Sequence, residues 1–117
     1  MSSGSLAEAV RALVRDAIDH HRDDPQLLRI MFEEAPASSE LIEAIDRHGR
    51  ARVSQVREVF ARHPDVRVRD LDTAAELVVG TVEMNTHKLM ANPRPIQVER
   101  LEAELVAMIT RYLRGDG

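Results

Sequence analysis

The sequence lacks cysteine and tryptophan, and aromatic residues make up only 3% of its 117 residues. Without cysteine, disulfide bonds and thiol chemistry are excluded, and a cytoplasmic location is expected by default. No apolar run approaches the roughly 20 residues that a membrane-spanning helix needs, so no membrane association is expected. The first ten residues, MSSGSLAEAV, lack the basic and apolar segments of a signal peptide.

The chain also lacks a region dominated by charge of one sign. Its formal net charge of −4 comes from acidic and basic residues that are interleaved along the sequence. The group closest to a basic cluster is Arg47, Arg50, Arg52 and Arg57, and it has carboxylates nearby and no aromatic residues. Because nucleic-acid binding depends on a basic face, no direct contact with nucleic acid is expected from this chain.

The residue patterns of enzymes and cofactor-binding proteins are missing as well. There is no serine in a nucleophile elbow and no glycine-rich phosphate loop, so neither catalysis nor a cofactor is expected. His20 and Asp24 have a spacing that metal sites use. However, Pro25 favours a new helix that Asp24 would cap, and no second pair of ligands stands out. We therefore predict no metal site.

What the sequence does contain is helical periodicity in a composition of 44% hydrophobic and 31% charged residues, which is typical of one globular domain. Ser5 and Glu8 form the pattern of a capping box at the first helix, and Gly115 is placed to end the last one. Residues 63–70 are predicted to be a loop. Five helices are predicted, at about 6–21, 25–35, 39–62, 71–90 and 96–113. The predicted fold class is all-α, a helical bundle.

The fourth predicted helix, LDTAAELVVGTVEMNTHKLM, is apolar over more of its circumference than one core requires. One apolar strip contains Leu71, Ala75, Val78, Val82 and Leu89, and a second beside it contains Ala74, Leu77, Thr81 and Met84. Only Asp72, Glu76, Glu83 and His87 form a plainly polar strip. The helix could be central in a monomeric bundle, or one strip could face a second copy of the chain. Periodicity alone leaves both explanations open.

Three segments carry a family resemblance: HRDDPQLLRIMFEEAP, DLDTAAELVVGTVEMNTHKLMANP and VERLEAELVAMITRYL. Their order resembles the C-terminal regulatory domain of TetR/AcrR-family transcriptional regulators. The resemblance covers residues 5–114. Residues 1–4 would be a flexible start or a remnant of expression, and residues 115–117 a short tail.

The resemblance implies a homodimer in which the last two helices of each subunit form a four-helix interface. The candidate interface residues are Leu71, Ala75, Val78, Val82, Leu105, Met108, Ile109 and Tyr112. It also implies a pocket for a small apolar or acidic effector. The candidate pocket residues are Met31, Phe32, Arg52, Val56, Phe60, Met84 and His87. Arg52 lies near the apolar arc of its helix, so it is expected either to anchor an acidic effector or to pair within the chain.

The family's N-terminal helix-turn-helix, with its glycine-bearing turn, is not found in this sequence. We therefore expect DNA binding to belong to the parent protein, whether this half was removed by design or is naturally absent. The effector would then favour one arrangement of the helices over another, and the DNA-binding half would respond to that change. The alternative function is a stand-alone helical dimerisation module that binds no small molecule.

Overall fold

A computed structural model of the chain describes residues 4–23, 39–90, 94 and 96–115. These residues form four α-helices and no strand, in agreement with the predicted all-α class. The helices are α1 (Leu6–Asp23), α2 (Ser39–Arg62), α3 (Leu71–Met90) and α4 (Val98–Arg114). Thus α2, α3 and α4 are the predicted third, fourth and fifth helices. The predicted second helix, at 25–35, lies outside the described residues.

The ends of the helices follow the local sequence signals. The Ser5 amide donates to Glu8 Oε1 at 3.1 Å and the Glu8 amide donates to Ser5 Oγ at 3.2 Å, which confirms the capping box of α1. At the start of α3, Asp70 accepts hydrogen bonds from the hydroxyl of Thr73 at 2.7 Å and from its amide at 3.1 Å. These two bonds hold the pKa of Asp70 below its usual value. Gly115 ends α4 with a left-handed φ of 77°.

Helix α3 lies at the centre of the bundle. Helix α2 packs mainly on α3, α1 packs mainly on α4, and α3 also contacts both α1 and α4. Among its residues, Ala74, Ala75, Val78, Val79 and Val82 are buried in a core shared with the other three helices. A central position therefore accounts for part of the unusually wide apolar surface of α3.

Two residues of the second apolar strip of α3, Leu77 and Met84, remain exposed, although Ala74 on the same strip is buried. Leu77 is 53% exposed and Met84 is 43% exposed, whereas Ala75 and Val78 on the first strip are at most 3% exposed. The two explanations for the wide helix are therefore compatible: most of its apolar surface belongs to the core of the chain, and Leu77 and Met84 remain open.

The contact between α1 and α4 is reinforced by two ion pairs that share Glu102. An amino group of the Arg11 guanidinium lies 2.7 Å from Glu102 Oε2, and Arg15 Nε lies 3.0 Å from Glu102 Oε1. Partial burial opposes ionisation of Glu102, but hydrogen bonds and attraction from Arg15 and Arg11 together outweigh it and lower the pKa of this carboxyl group.

Residues 63–70 form a loop, as predicted, and this loop closes one end of the bundle. The Arg67 amide donates to the carbonyl oxygen of Leu113 at 2.8 Å. Val66 and Val68 are partly buried against the core, so the apolar alternation in this segment reflects packing and not a strand. None of the helices in the described part of the chain is long and apolar enough to cross a membrane.

Candidate functional site

A cluster of ionisable side chains lies where α1, α2 and α3 meet. Asp16 and His20 come from α1, His48 and Arg52 from α2, and Glu83 from α3. On α1 and on α2 the two residues are four apart, so they lie one above the other on the same helix face. We call these five residues the polar cluster.

The polar cluster joins α1 to α2 through two side-chain contacts. The Arg52 guanidinium donates a hydrogen bond to the Asp16 carboxylate and forms an ion pair with it. The imidazole rings of His20 and His48 stack with their centroids 5.7 Å apart and their planes 18° from parallel. The main packing partner of α2 is α3 and that of α1 is α4, so these polar contacts lie where α1 and α2 pack only weakly against each other.

Two adjoining cavities lie along this seam. The polar cluster and Ala17 line a cavity of about 40 Å³. A smaller slot of about 10 Å³ continues into the core, where it is lined mainly by Leu13, Val56, Val78, Val79 and Val82. Ala17, Arg52 and Glu83 line both cavities, so polar and apolar space meet at these residues. The larger cavity has room for only a few water molecules.

Glu83 is the least compensated charge in the polar cluster. Burial raises the pKa of its carboxyl group, and attraction from Arg52, His48 and His20 offsets this effect only in part. Within the described residues, no hydrogen bond or ion pair reaches the Glu83 carboxylate. A donor entering the cavity from outside would therefore find an available acceptor there.

The structure brings only part of the predicted pocket together. Arg52 has a side chain that is 20% exposed and lines both cavities, and Val56 is buried beside it in the apolar slot. Phe60 is buried in the core without lining either cavity, and Met84 is exposed. Met31 and Phe32 lie outside the described residues.

His87 is buried, although its position on the polar strip of α3 suggested an exposed side chain. It is 4% exposed, whereas Asp72 and Glu76 on the same strip are exposed. Because α3 is the central helix, its polar strip is also covered toward its C-terminal end. Thr86, the neighbouring residue, is fully buried, and within the described residues its hydroxyl group has no hydrogen-bond partner.

The candidate interface residues divide into two sets. Met108 and Tyr112 are 49% and 41% exposed, and Leu71 is partly buried against the core. The other five are buried within a single chain and cannot supply an open surface for a partner: Ala75, Val78, Val82, Leu105 and Ile109. Three of these five come from the first strip of α3, and Leu105 and Ile109 come from the side of α4 that packs in the core.

Four of the six large apolar side chains that are exposed among the described residues belong to α3 and α4. They are Leu77, Met84, Met108 and Tyr112, and we call this set the open apolar face. Single exposed apolar residues are common on protein surfaces, but a group of them on two neighbouring helices is typical of an interaction surface.

Sequence reasoning missed several of these residues. Asp16, His48 and Glu83 were not singled out for the pocket, and Leu77 was not chosen for the interface. The spacing of Asp16 with His20 and of His48 with Arg52 was a detectable signal, but only the fold shows that the two pairs face each other. Among the described residues, no group of three or more histidine, aspartate or glutamate side chains has a geometry that could hold a metal ion.

Comparison with known protein families agrees with this architecture. The model of the family described as "Tetracyclin repressor-like, C-terminal domain" matches residues 5–113. No curated protein and no solved structure gives a significant match. Because the match spans nearly the whole chain and includes all four described helices, the chain belongs to the TetR-like C-terminal domain family of transcription regulators.

Proposed function

We propose that residues 5–114 are the effector-sensing and dimerisation domain of a TetR-like transcriptional regulator. The domain forms a homodimer through α3 and α4. An effector binds in the seam between α1, α2 and α3, and its binding controls a DNA-binding helix-turn-helix domain of the same regulator. The open apolar face is the observation that carries the dimer part of this proposal.

The spacing of the exposed residues supports a helix-on-helix contact. Leu77 and Met84 are seven residues apart on α3, and Met108 and Tyr112 are four apart on α4, so each pair lies on one side of its helix. Residues 91–97 join the two helices, which pack against each other. A two-fold axis beside this face would pair both helices with their copies and produce a four-helix interface.

The seam between α1 and α2 supports the sensing part of the proposal. Its contacts are the pair of Arg52 with Asp16 and the stack of His20 on His48, and the cavities lie directly behind them. A ligand that binds better when these contacts separate would favour a more open arrangement of α1 and α2. Movement of α1 is then the signal passed to the DNA-binding domain.

One observation favours a second candidate function, a dimerisation module without a small-molecule ligand. The two cavities of the seam measure about 40 and 10 Å³, far below the roughly 300 Å³ of typical ligand pockets. Sensing in this seam therefore requires either a small effector or separation of the helices. Dimerisation is common to both candidates, and ligand binding distinguishes them.

The dimer is tested with the double variant Leu77→Glu, Met108→Glu. Both side chains are about half exposed in the single chain, so charges there should leave the fold intact but oppose association. We expect the wild type to have the mass of a dimer by light scattering. The variant should have the mass of a monomer, with an unchanged circular dichroism spectrum.

Val59→Glu is the matched control, because Val59 is 39% exposed but lies on α2, outside the open apolar face. This variant should remain dimeric. A monomeric wild type at high concentration, or a double variant that is still dimeric, would contradict the proposed interface. Val78 and Val82 are unsuitable for this test because charges there would disrupt the core.

A further inference from the structure

We infer that the effector is a small organic cation with a short apolar group, such as a primary alkylammonium, which binds with its charged end at Glu83 and its apolar end toward the core slot. The inference deepens the proposed sensing function and rests on it. It differs from the apolar or acidic effector suggested by the sequence.

The balance of charge in the polar cluster favours a cation. Two carboxylates, those of Asp16 and Glu83, line the larger cavity with one guanidinium, that of Arg52. Arg52 can therefore neutralise only one of these two carboxylates. Asp16 already pairs with Arg52, so an acidic effector would have to displace this carboxylate before it could bind the guanidinium.

Glu83 is the group to which a cation would bind. Its carboxylate lines both cavities and has no hydrogen-bond or ion-pair partner within the described residues. Burial raises the pKa of this carboxyl group, so a positive charge beside it would stabilise the ionised form. An ammonium group donates up to three hydrogen bonds, and bonds between charged partners are stronger than those between neutral ones.

The apolar slot limits the rest of the ligand. It meets the larger cavity at Ala17, Arg52 and Glu83, and deeper inside it is lined by Val56, Val78 and Val82. At about 10 Å³ it accepts little more than a methyl group unless the helices separate. A short alkyl chain on the cation can enter the slot only when α1 and α2 separate, so its binding would favour the separated arrangement.

Calorimetric titration of the full chain at about pH 7.5 with three probes of similar size tests the inference. The probes are butylammonium, butyrate and 1-butanol, which differ mainly in the charge of the head group. We expect butylammonium to bind at least tenfold more tightly than either of the other probes. Stronger binding of butyrate would overturn the inference while leaving a sensing function in place.

Two variants test the assignment to named residues. Glu83→Gln keeps the shape of the side chain but removes its charge, and should weaken butylammonium binding at least tenfold. Asp16→Asn should release Arg52 from its partner and so shift the preference toward butyrate. Glu58→Gln makes the same change as the Glu83 variant on an exposed part of α2 that lines neither cavity, and should bind as the wild type does.

Thermal unfolding of each variant shows whether it is folded. A folded Glu83→Gln variant that binds butylammonium as tightly as the wild type would overturn the site. If none of the three probes binds to the dimer at millimolar concentration, the inference is also overturned, and the ligand-free dimerisation module becomes the better function. The mass of the wild type separately decides whether dimerisation itself holds.

Discussion

At the scale of single residues, Glu83 places an under-compensated negative charge at the boundary between solvent and core. Arg52 and the two imidazoles attract it, but Arg52 also pairs with Asp16, and burial has the larger effect on Glu83. A buried charge that costs stability is often retained for binding. The same carboxylate should therefore weaken the folded state and strengthen ligand binding.

Glu83→Gln should stabilise the ligand-free protein at neutral pH, by less than about 1 kcal/mol because the group is partly solvated. Because burial raises the pKa of Glu83, this carboxyl group in the folded protein keeps its proton at pH values above the usual pKa of 4.5. Below pH 4.5 the Glu83 carboxyl group is protonated in both the folded and the unfolded protein, so it does not lower the free energy of unfolding. As pH rises from 4.5 through the raised pKa, the unfolded state ionises first and stability is lost. The loss then persists at neutral pH.

Urea unfolding of the wild type and of Glu83→Gln at pH values between about 3.5 and 7.5 measures this effect. The difference in the free energy of unfolding should be small at the acidic end and should then grow in favour of the variant. The Glu58→Gln control should show no such growth. A variant that becomes less stable than the wild type as pH rises would mean that attraction from Arg52 outweighs burial at Glu83.

At the scale of helices, local signals in the sequence were strong enough to define the four helices of the described residues. The capping box at Ser5, the cap at Asp70 and the glycine at 115 each satisfy backbone groups at a helix end, and they depend on residues a few positions apart. The range 71–90 was therefore predicted correctly.

Assignments that depend on which face of a helix is covered were less accurate. On α3, both apolar strips look alike in sequence, and only packing shows that Val78 is buried while Leu77 is exposed. The polar cluster presents the same difficulty, because three helices bring together residues as far apart in sequence as Asp16 and Glu83. Periodicity describes one helix at a time and does not identify its neighbours.

Glu102→Gln should destabilise the chain by about 1 kcal/mol, because it removes the charge that joins Arg11 and Arg15 of α1 to α4. The pKa of Glu102 is lowered on folding, so its contribution has the opposite pH dependence to that of Glu83. It is present above the usual pKa of 4.5 and is lost as pH falls through the lowered value.

The measurement is again urea unfolding across the acidic range, with Asp46→Asn as the control. Asp46 pairs with Arg50 at 2.9 Å on the surface of α2, where both side chains are more than half exposed. Losing this pair should cost no more than about 0.5 kcal/mol. Equal effects of the two substitutions would show that the ion pairs of Glu102 contribute no more to the free energy of unfolding than an ordinary surface pair does.

At the scale of the whole molecule, the chain is somewhat expanded for its length. Its radius of gyration is 14.7 Å, whereas a compact domain of this size has one of about 13.4 Å. The four side chains of the open apolar face are also 41–53% exposed in the single chain. Both features fit a subunit whose folding is completed by a second copy.

If association completes the fold, thermal stability must depend on protein concentration. A dimer that unfolds to separate chains gains stability by mass action, so a hundredfold increase in concentration should raise the Tm by several degrees. The Leu77→Glu, Met108→Glu variant should have a lower Tm that does not change with concentration. Val59→Glu should behave as the wild type does. A wild-type Tm that is the same at every concentration would contradict the dimer and leave the open apolar face as an ordinary exposed surface.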